Sequence, residues 1–105
     1  MSDRPSIVIV GAGSIGERHL RCFLATGRTE LSLCEVNSSL RDSVAERHGV
    51  QRTFASYEDA LRTAPAAVVI CTPAHLHIPM AIAAAQAGAH LLIEKPLSTK
   101  VEGID

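Results

Sequence analysis

The segment "IVIVGAGSIGERH" (7–19) sets Gly11, Gly13 and Gly16 at the spacing G-x-G-x-x-G, behind a β-branched run and ahead of residues with helical periodicity. That context makes an otherwise weak pattern informative. Gly11 permits a tight turn, Gly13 has no side chain to hold a pyrophosphate off the backbone, and Gly16 lets the following helix pack against the strands. Amides from Gly13 through Ser14 to Ile15 then face an anion at the positive end of a helix dipole, worth up to about 1 kcal/mol. Glu35 lies 19 residues beyond Gly16 at the end of the next strand-like run. A carboxylate there accepts from a ribose 2′-hydroxyl and repels a 2′-phosphate, which favours NAD over NADP. Arg41 keeps NADP in play, because a flexible guanidinium close in sequence can meet a phosphate. Near the chain's end the apolar run 91–93 delivers a second charged group, Glu94-Lys95-Pro96, at the mouth of a strand.

Metal chemistry is not expected. His75 and His77 are two apart and diverge on a helix, and Cys22, Cys34 and Cys71 lack ligand spacing. The three cysteines are odd in number and sit in apolar segments, which reads as reduced thiols packed in a core.

The elements that must position these groups follow from periodicity. Short apolar runs at 7–10, 30–35, 50–54, 66–71 and 90–94 read as strands. Between them, helical segments are expected over 14–27, from Ser38 to His48, over 57–64 and from Leu76 to Ala87. Ser38 and Ser56 are the expected caps, Gly27, Gly49 and Gly88 the stops, and Pro79 is tolerable only in a first turn. On the first helix, Ile15, His19, Leu20, Phe23 and Leu24 should share the packed face. Alternating strands and helices with short loops require right-handed parallel crossovers. The expectation is an α/β fold, a Rossmann-type doubly wound parallel sheet of order 3-2-1-4-5 in three α/β/α layers, with a ligand crevice at the switch between strands 1 and 4.

Composition narrows the partners. The 105 residues make one domain over 1–105, the net charge is −1, and the basic residues are scattered. Neither nucleic acid nor an anionic membrane is favoured, and the start of the chain leads directly into a strand, so a cytoplasmic place is expected.

Four stretches, "GAGSIGERH", "YEDAL", "CTPAHLHIPMA" and "AGAHLLIEKPLS", together resemble the successive motifs of the Gfo/Idh/MocA oxidoreductases, the glucose-fructose oxidoreductase and inositol dehydrogenase family. The family's Thr-Pro-x-x-x-His pattern falls on Thr72, Pro73 and His77. Its Gly-x-His-x-x-x-Glu-Lys-Pro pattern falls on Gly88, His90, Glu94, Lys95 and Pro96, while an asparagine common after Thr-Pro is Ala74 here. The resemblance implies a nicotinamide-dependent dehydrogenase acting on a hydroxyl of a sugar, cyclitol or similar polyol. It places Thr72, Pro73, Glu94, Lys95 and Pro96 at the cofactor and Lys95 beside the reacting carbon. As hydride leaves a carbinol carbon its oxygen must lose a proton, and an ammonium stabilises that charge or relays the proton. His77 either lines the cofactor groove or sits at the surface where its helix starts.

In the resembled family a second domain carries the substrate pocket. The expectation is therefore a cofactor-binding half with the substrate domain absent, which binds NAD without turning over a polyol alone. An unprotected edge at strand 5 is then expected to drive self-association. A non-catalytic NAD-binding sensor or regulatory module is the alternative. A methyltransferase lacks its acid before the glycines, and nothing in a flavoprotein requires the Glu-Lys-Pro end.

Overall fold

The computed structural model describes residues 5–72 and 76–93. Along the chain run β1 (Ser6–Val10), α1 (Ser14–Thr26), β2 (Glu30–Cys34), α2 (Ser38–His48), β3 (Arg52–Phe54), α3 (Tyr57–Arg62), β4 (Ala67–Ile70), α4 (His77–Gln86) and β5 (His90–Ile93). The five strands form one parallel sheet of order β3-β2-β1-β4-β5, as the alternation requires.

Period-two alternation divides the core into two layers. Ile7, Ile9 and Val69 point to the face covered by α1 and α2, where they meet Leu20, Val44 and Ala45. Val8, Val10, Val68 and Ile70 point to the other face and meet Ala60 of α3 and Ala84 of α4. Strands buried on both sides need apolar residues at every position, which is why β1 and β4 read as unbroken runs. The alanines of α4 supply close helix-to-sheet contact rather than a pocket.

Several local expectations are corrected. The cap of α2 is Asn37, whose side-chain oxygen accepts from Leu40 N–H at 3.0 Å, and Ser38 is the first helical residue. Ser56 does cap α3, accepting from Asp59 N–H at 3.3 Å. The third strand starts at Arg52, since Val50 N–H still closes the end of α2 on the Ala45 carbonyl at 2.9 Å. On α1 the packed line runs through Gly16, Leu20 and Phe23. Ile15 and Leu24 sit about 80–100° to either side of Gly16 at 3.6 residues per turn, and both are exposed. Cys22 is further round still and is exposed rather than in the core. Between the helices, Glu17 of α1 accepts from His48 at 3.2 Å and pairs with Arg47. That contact with His48 above all, with Arg47 adding to it, holds the Glu17 carboxyl below its ordinary value.

At the sheet's other margin, β5 leaves Leu91 39% and Leu92 47% exposed, on opposite faces. Among the described residues no helix is long and apolar enough to cross a membrane.

Candidate functional site

The carboxyl ends of β1, β2 and β4 meet at one crevice, because the chain leaves β1 toward β2 and returns to the sheet at β4 on the other side. Gly11 continues β1 by donating to the Cys34 carbonyl at 2.8 Å, then turns at φ +99°, a conformation that disfavours side chains. Gly16 sits beneath this turn. A Cβ there would lie 1.7 Å from the Gly11 carbonyl oxygen, so the helix reaches the turn only because residue 16 has no side chain. Gly13 is different, with open space where its Cβ would be. It caps α1 without a side-chain bond, in contrast to Asn37 on α2 and Ser56 on α3. The first amides of α1, from Ser14 to Gly16, are thus left for an anion.

Glu35 completes the turn from the side. Its Oε1 accepts from Ala12 N–H at 2.8 Å and its Oε2 from Asn37 N–H at 3.0 Å. The acid is therefore aimed at the glycine turn, and each oxygen keeps a lone pair for a hydroxyl donor. Arg41 does not line the crevice. Its guanidinium donates to the Glu35 main-chain carbonyl at 2.9 Å and lies 3.9 Å from Asp42.

A groove of about 530 Å³ opens over these ends, lined by Gly11, Gly13, Glu35 and Thr72 together with Cys34, Val36, Leu40, Tyr57, Leu76 and Met80. Among its described lining residues Glu35 carries the only charge. The apolar members were missed by motif reading, although position at a strand end was a usable signal: Val36 directly follows the acid and is 83% exposed. A depression of about 550 Å³ at the opposite end of the strands, around Glu30 and Arg52, is bordered by Gly49 at the end of α2 and by no helix N-terminus among its described lining residues.

Two hydrogen bonds shape the far wall. Tyr57 donates its phenol to the Met80 carbonyl at 2.7 Å, tying α3 to α4, and Thr72 donates to the Met80 sulfur at 3.3 Å. His77 neither lines the groove nor reaches the surface. It is 1% exposed, and its Nε2 lies 2.5 Å from the Thr72 carbonyl, so that nitrogen carries the proton. Nδ1 is buried without a partner among the described residues. The expected positions Pro73, Glu94, Lys95 and Pro96 lie outside the described residues.

Burial of the groove floor has a chemical consequence. Burial, with Glu35 adding to it, pushes the Cys34 thiol up to about 11, and burial, with Cys34 adding to it, pushes the Tyr57 phenol up to about 12. Both folded values exceed the ordinary ones of 9.0 and 10.0, so the neutral forms stabilise the fold below about pH 9 and that contribution is lost as pH rises toward 12. At pH 8 an aromatic disulfide reagent should label exposed Cys22 quickly and Cys34 only after unfolding. Equal labelling rates for the two in the folded chain would contradict this environment.

The model of an oxidoreductase family with an NAD-binding Rossmann fold matches residues 6–105. An inositol 2-dehydrogenase of Corynebacterium glutamicum (strain R) is 32% identical over 105 residues, covering 97% of this chain and 31% of that protein. The myo-inositol 2-dehydrogenase structure from Lactobacillus plantarum superposes with a TM-score of 0.88 at 29% identity, over 96% of this chain and 31% of that one. The WlbA dehydrogenase of Bordetella pertussis, solved with NADH and UDP-GlcNAcA, gives 0.84 at 34% identity, over 92% and 30%. The chain spans less than a third of the length of these relatives.

Proposed function

The chain belongs to the Gfo/Idh/MocA oxidoreductase family, and from that membership we propose that it is the NAD-binding half of a dehydrogenase whose substrate is a sugar, a cyclitol or a similar polyol. One observation carries the cofactor reading: Gly11 and Gly13, the turn that leads into the uncapped start of α1, and Glu35 line the same groove from adjacent strand ends. An anion at the amides and hydroxyl donors at the acid are what a pyrophosphate and an adenosine ribose present. Open space over Gly13 lets the anion approach the main chain. Val36, Leu40 and Met80 offer apolar surface for a base. A calorimetric titration with NAD is the test.

When bound, NAD supplies the acceptor for a hydride. The chain's own part is to hold the cofactor by its adenosine and pyrophosphate portions, and Lys95 is the proposed group that stabilises the negative charge developing on the carbinol oxygen or relays its proton. Support for Lys95 is its place in the Glu-Lys-Pro pattern. Because a positioned carbinol is worth many orders of magnitude in effective concentration, a polypeptide of residues 1–105 by itself should reduce no NAD. Cofactor reduction above a buffer blank, with purified chain and a panel of polyols, would overturn that.

Self-association is part of the same proposal. Along β5 the described residues 90–93 offer no proline or bulge, and Leu91 and Leu92 are exposed. Light scattering over a concentration series should show mass rising with concentration, and Leu92→Lys should reduce it. A constant monomer mass at high concentration would count against the edge. Reduced thiols at Cys22 and Cys34 suit the cytoplasmic compartment proposed for the chain.

A further inference from the structure

Arg41 stands beside the acid that selects the cofactor, yet its guanidinium faces the protein. It occupies the fourth position of α2, where a long side chain folds back over the first turn toward the helix start. There it meets the carbonyl of Glu35, two residues before the Asn37 cap, at 2.9 Å. Asp42 holds the same guanidinium from the next position at 3.9 Å, and the Arg41 side chain is only 17% exposed. The accepting atom is main chain, so no substitution of the Glu35 side chain releases it.

We propose that Arg41 is a specificity-determining positioning residue: it holds the main chain that aims the Glu35 carboxylate at the glycine turn, and it is thereby withheld from a 2′-phosphate. The assignment rests on the dinucleotide reading above. It inverts the role that spacing alone suggests for an arginine after the ribose-binding acid. Exclusion of NADP then has two parts, a carboxylate that repels the phosphate and a neighbouring cation already engaged. No lining residue among those described replaces that cation, since Glu35 is the only charged one.

The test compares NAD and NADP affinities of the full chain in four forms: wild type, Arg41→Met, Glu35→Ser, and Glu35→Ser with Arg41→Met. In the Glu35→Ser background, adding Arg41→Met should change the ratio of NADP to NAD affinity by less than twofold. In the wild-type background, Arg41→Met should weaken NAD about fivefold. It should also speed hydrogen exchange of the Ala12 amide, which reports the Glu35 carboxylate directly, while exchange at Leu33 in the core is unchanged. A tenfold or greater selective loss of NADP in the Glu35→Ser background would show Arg41 meeting the phosphate and overturn the assignment. Unchanged Ala12 exchange would overturn the positioning role. Failure of the wild type to bind NAD would instead sink the cofactor reading, and this assignment with it.

Discussion

Gly16→Ala is expected to destabilise the domain by at least about 3 kcal/mol, the upper end of overpacking penalties, and to lower Tm by roughly 12 °C or more. The added methyl would lie 1.7 Å from the Gly11 carbonyl oxygen and 2.8 Å from its carbon. Both are main-chain atoms of a turn already at φ +99°, and that turn packs on the backbone of Cys71 and Thr72. Neither side can yield cheaply, so α1 must move off the sheet and take its amides out of the crevice. Gly13→Ala is the matched control. Nothing lies within 4 Å of its added carbon, so Tm should stay within about 2 °C while NAD affinity falls about tenfold, the methyl standing where the pyrophosphate must approach. A Gly16→Ala protein melting within about 3 °C of wild type would refute this account of the turn.

Glu35→Ala should produce two separable losses. In the free protein it removes the acceptor of the Ala12 N–H, a residue only 2% exposed, and leaving a buried donor unpaired costs about 1–3 kcal/mol. In the complex it removes the partner of the ribose hydroxyls. Charge-assisted bonds contribute about 1.5–3 kcal/mol, so NAD affinity should fall roughly 10- to 100-fold. Glu35→Gln distinguishes the two. Its side-chain carbonyl can still accept from Ala12, whereas its NH₂ cannot accept from Asn37 or attract hydroxyl donors as a carboxylate does. Stability near wild type with NAD affinity well below it is the expected result for Glu35→Gln. Undiminished NAD binding by either variant would remove Glu35 from the site.

The elements were legible because each reports on its surroundings through a simple period. β1 and β4 are buried on both faces and read as continuous β-branched runs, and the glycines at the ends of α1 and α2 stop their helices at φ +63° and +70°. The glycine turn and Glu35 were legible because backbone geometry restricts which residue fits and a strand end restricts where an acid can reach. What escaped the sequence depended on direction. Ile15 lies one residue from Gly16 yet points about 100° away from the packed face. His77 fits a surface helix start by position, and only the fold shows its ring turned inward to the Thr72 carbonyl. Arg41 is available to a phosphate by spacing and engaged by geometry. The groove's apolar walls, Tyr57 and Met80 among them, come from elements more than twenty residues apart, and no local pattern announces such a meeting.

Calorimetric titration of the wild-type chain with NAD and, separately, with NADP tests the central claim most directly. One site per chain for NAD, with NADP at least tenfold weaker, is the expected result, since the proposal assigns the pyrophosphate of both to the amides of α1 and only a 2′-hydroxyl to Glu35. No heat with NAD from a chain shown to be folded, or NADP binding as tightly as NAD, would contradict it.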